Sequence, residues 1–306
     1  LTIEFYSKDE LSDFAKRLAD KHIQMNLADI RVVEKLLKPI GFSFKKSLGQ
    51  NFLIDSSICP AMAESCADKN TGVLEIGPGI GVLTVECAKI AKKVVAIELD
   101  NRLKSVLDIS LADFDNTEVI FADAMKTDLE GLIKEKFSDC QKVAICANLP
   151  YYITSPLIMK LLESRLPIDS ITVMVQKEAA DRLSAKVGTR SAGAVTAAVA
   201  YFAEAEELFF VERTSFMPPP NVDSAVIRLN ILKEPPVKVK DEKFFFSLVR
   251  ACFAQRRKTL VNTVSNTLGI EKSKIISALE EIGENSAVRG EVLTLQQLSE
   301  LSDLLC

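Results

Sequence analysis

The chain has no tryptophan and a single histidine, His22. One histidine rules out His-rich metal sites and leaves a Ser-His-Asp or Cys-His mechanism dependent on that residue, which sits in a charged stretch near the start. The seven cysteines (Cys59, Cys66, Cys87, Cys140, Cys146, Cys252 and Cys306) contain no C-x-x-C pair, and their number is odd. Several lie in apolar runs such as Val143 to Cys146. Reduced core thiols of a cytoplasmic protein account for this better than disulfides or zinc, and no metal is expected. The longest weakly polar run, Ala192 to Ala203, is too short to span a bilayer and reads as a buried helix, so no membrane association is expected. No signal peptide is visible. The chain opens on Leu1, which points to a trimmed or misassigned start, with Met25 as an alternative.

What is present is ordinary globular material: 306 residues, 48% hydrophobic and 26% charged. Such a length accommodates a large domain and a small one without disulfide staples. The net charge of -4 argues against a general nucleic-acid binder, but the average conceals a basic zone. From Lys233 to Lys274 ten bases face four acids, whereas after Glu280 acids dominate.

Residues 1 to about 40 read as two helices broken near Met25-Asn26, the second over Asp29 to Leu37 and stopped by Pro39 and Gly41. A basic loop, Lys45 to Leu53, follows. From Val73 short β-branched runs alternate with helical segments: Val73–Ile76, Val94–Ile97, Val119–Phe121, Val143–Ala147 and Ile171–Val175. That spacing predicts βαβ units and a parallel sheet. Leu208–Val211 and Ala225–Leu229, joined through the Pro-rich stretch 216–220, predict an antiparallel pair at the sheet edge. After Leu232 the sequence reads as a linker and then as helices over Phe244–Thr267, Lys272–Ile282 and Leu295–Leu305. The expected organisation is a helical extension over 1–44, a ligand-binding α/β domain over 45–232 and a small all-α domain over 233–306.

Ligands of an open parallel sheet bind beyond the C-terminal ends of its strands. There the sequence places Glu75-Ile76-Gly77-Pro78-Gly79-Ile80-Gly81, then Glu98, then Asp123, then Asn148-Leu149-Pro150-Tyr151. The dinucleotide pattern wants glycine at the sixth position from Gly77, which is Val82 here, so a pyrophosphate cradle is disfavoured. Glu98, about 20 residues on, suits ribose hydroxyls. Asp123 can accept from an exocyclic amine. Each feature has a plainer alternative, a tight turn or a solvated cap, but three successive strand ends together favour a nucleoside without a diphosphate. In Asn148–Tyr151 a side-chain carbonyl and the carbonyl preceding Pro150 can both accept from one amino group, and Tyr151 offers a face for a planar base. Asn-x-Pro is also common turn chemistry.

These motifs resemble those of class I S-adenosylmethionine-dependent methyltransferases acting on amino nitrogens. With Gly49 to Leu53 upstream and Phe216 to Ser224 downstream, the resemblance narrows to the ribosomal RNA small-subunit adenine dimethyltransferase (KsgA/RsmA) family, over about residues 28–270. It implies a Rossmann-like methyltransferase sheet and transfer of methyl groups from S-adenosyl-L-methionine to N6 of two adjacent adenosines. The target loop would be the 3′-terminal hairpin of small-subunit rRNA, in a pre-30S particle. It further implies that Asn51 and Leu53 line the methionine side of the cofactor, that Gly77 and Gly79 pass beneath it, and that Glu98 holds the ribose and Asp123 the adenine amine. Asn148 would serve both the cofactor and the target amine, with Leu149 and Pro150 completing the motif. Tyr151 and Phe216 would sandwich a flipped adenine. Phe216 has a plainer reading as a packed turn before three prolines. Tyr152 has no assigned role.

The stretch Gln255 to Leu260 is also similar to the family's. Arg250 and Arg257 are expected to share one helix face, with Arg256 and Lys258 adjoining, for phosphate-backbone contact. Lys45 and Lys46 would extend that footprint. A solvated helix face is the plainer alternative. The expected working form is a monomer. Three competing readings are an erythromycin-resistance-type 23S rRNA adenine methylase, a non-catalytic nucleic-acid-binding factor on the same fold, and a nicotinamide-dependent oxidoreductase. The last is disfavoured by the glycine spacing.

Overall fold

The computed structural model describes residues 25–41, 52–151, 153–255 and 257–306. Asn51, Lys45, Lys46, Arg256, Tyr152 and the predicted helix before Met25 lie outside the described residues.

The chain divides into two compact units. The first comprises Leu1–Thr154, Leu166–Lys177 and Leu208–Arg228. It opens with α1 (Ile30–Leu37), whose N-terminus is capped by Asp29 accepting the Arg31 N–H at 2.9 Å. A 3₁₀ turn with Pro39 and left-handed Gly41 stop it, as predicted. The elements that follow are β1 (Phe52–Leu53), α2 (Ile58–Cys66), β2 (Thr71–Ile76), α3 (Val82–Ile90), β3 (Lys93–Glu98), α4 (Lys104–Ser110), β4 (Thr117–Phe121), α5 (Leu129–Lys136) and β5 (Lys142–Asn148). After α6 (Thr154–Glu163) come β6 (Ser170–Gln176), α7 (Lys177–Leu183), α8 (Ala194–Phe202), β7 (Ala203–Val211), β8 (Phe216–Met217) and β9 (Ser224–Ile231).

Seven strands form one sheet in the order β4-β3-β2-β5-β6-β9-β7. The pairings β4·β3, β3·β2, β2·β5 and β5·β6 are parallel. β7 and β9 are neighbours at the far edge, as their sequences predict. Each strand runs one to several residues beyond its β-branched run, because ladder hydrogen bonds recruit polar flanks such as Lys93 and Thr117. Strand β2 is buried along its whole length and β3, β5 and β6 in all but their end residues, as strands covered on both faces must be. One core cluster gathers Ile58, Met62 and Ala63 of α2 and Leu83 and Ala88 of α3 with Val73, Val94, Ala144 and Met174 of the sheet. A second gathers Val33, Leu36 and Leu37 of α1 with Val106 and Leu107 of α4, Phe52 and Ile80.

The second unit comprises Ser155–Arg165, Glu178–Glu207 and Leu229–Cys306. Its C-terminal part contains α9 (Glu242–Phe253), α10 (Leu260–Leu268), α11 (Lys272–Glu281) and α12 (Leu295–Leu305). Helix α8 is buried as the apolar run 192–203 predicts. Tyr201 and Phe202 of α8 meet Phe245 and Phe246 of α9 in an aromatic cluster with ring centroids 4.9 to 5.3 Å apart. Beside it, Arg165 Nε donates to Glu242 Oε1 at 3.0 Å, and the Tyr201 hydroxyl donates to Glu242 Oε2 at 3.1 Å.

One expected element is corrected. The single helix over Phe244–Thr267 is two helices, Glu242–Phe253 and Leu260–Leu268. Thr259 is extended (φ -69°, ψ 152°) and opens α10, and the Leu260 N–H bonds the Val288 carbonyl at 2.8 Å instead of a carbonyl upstream. Three consecutive cations, Arg256-Arg257-Lys258, supply no acidic i+4 partner to hold a continuous helix there. Among the described residues no helix is long and apolar enough to cross a membrane.

Candidate functional site

The glycine turn between β2 and α3 is built from its backbone. The Gly77 N–H bonds the Ile97 carbonyl of β3 at 2.9 Å, and the Gly81 N–H closes on the Pro78 carbonyl at 2.9 Å. Gly77 lies at φ +75° and Gly79 at φ +61°, a region L side chains rarely adopt. A Cβ on Gly77 would project into open space, whereas one on Gly79 would stand 3.3 Å from the Phe52 ring. The Gly77 position is therefore bare, open backbone in the turn that leads to α3.

Glu98, the last residue of β3, faces this turn. Its Oε2 accepts the Gly79 N–H at 3.1 Å and its Oε1 accepts the Asp100 N–H at 2.7 Å. Burial pushes the Glu98 carboxyl above its ordinary pKa, against the opposing effect of those N–H donors. Asp123 follows β4, half-buried, with Oδ1 accepting the Met125 N–H at 2.9 Å and Oδ2 3.6 Å from Lys126 Nζ.

Asn148 ends β5, in register with Met174 of β6. Leu149 is buried, and its N–H bonds the Met174 carbonyl at 3.2 Å. The Pro150 carbonyl accepts the Ile153 N–H at 3.1 Å, which closes the turn and holds the Leu149 carbonyl at the strand end. Tyr151 is half-buried, and its hydroxyl stands 2.9 Å from the Ser224 hydroxyl. Burial raises the Tyr151 phenol above its ordinary pKa.

Leu53 and Phe216 pair across the two-stranded antiparallel sheet of β1 and β8. Both side chains belong to the first core cluster, and Phe216 is 2% exposed. In this arrangement Phe216 is a packed residue rather than an open stacking face. The plainer reading of an aromatic before three prolines describes it here, and Leu53 likewise packs inward.

The basic residues divide. Arg250 on α9 is an ion-pair partner of Glu163, Nη1 to Oε1 2.6 Å, and is half-exposed. Arg257 and Lys258 are exposed in the turn after α9. The expectation that Arg250 and Arg257 share one helix face is therefore corrected: the break at 254–259 separates them.

Two residues had no assigned role in the sequence. Ser224, fully buried, ties Tyr151 in place. Glu75, inside β2, is 1% exposed with Oε2 unpartnered among the described residues, and burial pushes its carboxyl up to about 8. A carboxylate embedded in an apolar strand run was the available signal for Glu75. Ser224 carried none, because its partner is 73 residues away.

A nucleoside cofactor fits these residues. The cradle at Gly77 is one a Cβ would fill, and two carboxylates at neighbouring strand ends are acceptors matched to hydroxyls and an amine.

Comparison with known proteins supplies an independent line. Residues 41–300 match the family described as ribosomal RNA adenine dimethylase. The chain is 50% identical over 276 residues to ribosomal RNA small subunit methyltransferase A of Bacillus licheniformis, covering 89% of this chain and 94% of that protein. Against the protein of the same name from Geobacillus thermodenitrificans the identity is 51% with the same coverage. Among solved structures, a dimethyladenosine transferase from Plasmodium falciparum superposes with a TM-score of 0.66 at 28% identity, over 82% of this chain and 95% of that one. The 23S rRNA methyltransferase ErmE superposes with a TM-score of 0.60 at 27% identity, over 83% and 99%.

Proposed function

The chain belongs to the ribosomal RNA adenine dimethylase family and is an rRNA methyltransferase, and we propose that it dimethylates N6 of two adjacent adenosines in the 3′-terminal hairpin of small-subunit rRNA. The observation that carries the reading is the meeting of the Gly77 cradle, Glu98 and Asp123 with the Asn148–Tyr151 turn at consecutive strand ends of one sheet. About 50% identity over nearly the whole length of small-subunit enzymes favours that substrate over the large-subunit rRNA named for ErmE.

S-Adenosylmethionine, when bound, supplies an electrophilic methyl group, so the chain needs no nucleophile of its own. Backbone at Gly77 and Gly79, the Glu98 carboxyl and the Asp123 carboxyl are the groups that would hold the cofactor, the two acids accepting from its ribose and its adenine amine. The Asn148 side-chain oxygen and the Leu149 carbonyl accept both hydrogens of the target amino group. That grip draws N6 from planarity and aims its lone pair. Each transfer would form an N6–carbon bond as the donor's sulfur–methyl bond breaks, its electron pair staying on sulfur, and would release one N6 proton to solvent. Tyr151 holds the extruded base by stacking. Phe216 joins it only after leaving its packed position, as the chain around β1 and β8 admits the base.

We assign phosphate contact to Arg257 and Lys258 within a helical domain of 233–306, with 45–232 as the catalytic domain and 1–44 as an extension. Lys45, Lys46, Arg256 and Asn51 keep the roles that the family pattern implies. The enzyme acts as a monomer on a pre-30S particle in the cytoplasm. Transfer of labelled methyl to under-methylated small and large subunits tests this reading: label in the small subunit supports it, and label confined to the large subunit refutes it.

A further inference from the structure

The cysteines are scattered in sequence, yet the fold collects three of them. Cys66 closes α2, Cys87 lies on α3 and Cys146 on β5, and their sulfurs all lie within 4.8 Å of one another. All three are buried, in the core cluster that α2 and α3 form on one face of the sheet. The parallel register of β2 and β5 sets Glu75 beside Cys146, so the two side chains leave the same sheet face. Glu75 is also close enough to Cys66 and Cys87 to act on them electrostatically. Its Oε2 is buried with no hydrogen bond of ordinary geometry, and the Thr84 hydroxyl of α3 is the side-chain donor that acts on the carboxyl against the effect of burial.

Packing alone accounts for a buried thiol. It does not account for three thiols from three elements meeting beside a buried carboxyl, which burial in an apolar core keeps protonated unless a cation approaches. Soft thiolates select zinc-like ions, and a tetrahedral site with Zn–S near 2.3 Å sets its sulfurs about 3.8 Å apart. The observed spacing exceeds that value by at most about 1 Å.

We propose that Cys66, Cys87 and Cys146 form a buried three-thiolate site for one soft divalent cation of the zinc and cadmium class, with the Glu75 carboxyl beside it. Binding releases the thiol protons to solvent and involves no change of oxidation state. The site pins α2 and α3 to β5 behind the glycine turn. It is separate from the groups assigned to methyl transfer and stands whether or not that assignment does.

The test uses the full chain, reduced, with Cys140→Ser and Cys306→Ser removing the two cysteines that are not buried. Cadmium chloride is titrated in, and in parallel the metal content is measured for protein purified from zinc-supplemented cells. The expected result is one cadmium per chain, a near-ultraviolet thiolate-to-cadmium band, and a Tm raised by roughly 5 °C. Cys66→Ala and Cys146→Ala, and separately the volume-conserving Cys66→Ser and Cys146→Ser, should each lower the band by about one thiolate's share and weaken retention of the ion by about 100-fold. Circular dichroism identifies which of these variants are folded. No stoichiometric metal in either arm, or a band unchanged in the folded variants, overturns the proposal.

Discussion

The hydroxyls of Tyr151 and Ser224 stand 2.9 Å apart, joining the turn after β5 to the first residue of β9. Ser224 is fully buried, so the bond fixes the phenol end and with it the plane of the ring. Ser224→Ala and Tyr151→Phe should each lower kcat/KM for rRNA by about 3- to 10-fold, the worth of one net hydrogen bond. The double variant should lose no more than either alone. Additive losses would mean the two hydroxyls act separately. Tyr151→Ala also removes the stacking face and should cost about 10- to 100-fold.

Asn148 is assigned a grip on the amino group during transfer. Asn148→Ala should lower kcat by about 100- to 1,000-fold while cofactor affinity is partly retained. Equilibrium binding of S-adenosylmethionine and single-turnover methyl transfer separate the two effects. Undiminished transfer would remove Asn148 from the chemistry.

Much of this was legible in the sequence because it is local. The alternation of β-branched runs with helical segments announces the parallel strands, and the residues after each run stand at the neighbouring strand ends from which the proposed site is built. The parts that were not legible are long-range. The burial of Phe216 arises from the pairing of β8 with β1, more than 160 residues earlier in the chain. The break after α9 reflects Leu260 bonding Val288, and Gly290 packing where a Cβ would stand 2.4 Å from the Cys252 carbonyl. The meeting of Cys66, Cys87 and Cys146 is invisible to any spacing rule, because helix and sheet packing creates it.

Glu98 accepts the Gly79 N–H of the glycine turn, and in the proposed function the same carboxylate would also accept from the cofactor. Glu98→Ala should weaken S-adenosylmethionine binding by about 10- to 100-fold, in line with loss of a charge-assisted hydrogen bond. Glu98→Gln should weaken it less. Isothermal titration checks both. Equal affinity in the alanine variant would dissociate Glu98 from the cofactor.

The basic residues should separate by function. Arg257→Ala and Lys258→Ala should each raise KM for RNA and lower the salt slope of binding by about 1, with kcat unchanged. Arg250→Ala loses its pair with Glu163 and should show chiefly a small drop in Tm. A salt-slope change as large in Arg250→Ala as in the other two would return Arg250 to the RNA contact set.

The Arg165–Glu242 pair gives the second unit a pH signature. The Arg165 guanidinium holds the Glu242 carboxyl below its ordinary pKa, with burial opposing. A depressed carboxylate contributes its stability in full above the ordinary value of 4.5 and loses it as pH falls through the lowered value. Both partners are partly exposed, so the worth at neutral pH is about 1 kcal/mol. Glu242→Gln should therefore be less stable than the parent in urea at pH 7, with the gap closing under acid conditions. A gap independent of pH would assign the loss to packing around Tyr201.

The most direct test of the central claim is to map the modified bases after the purified enzyme and labelled S-adenosylmethionine act on under-methylated small subunits. The account predicts N6,N6-dimethyladenosine at two adjacent adenosines in the 3′-terminal hairpin, and its loss with Asn148→Ala. Methyl groups on any other base, or an unchanged pattern in that variant, would contradict it.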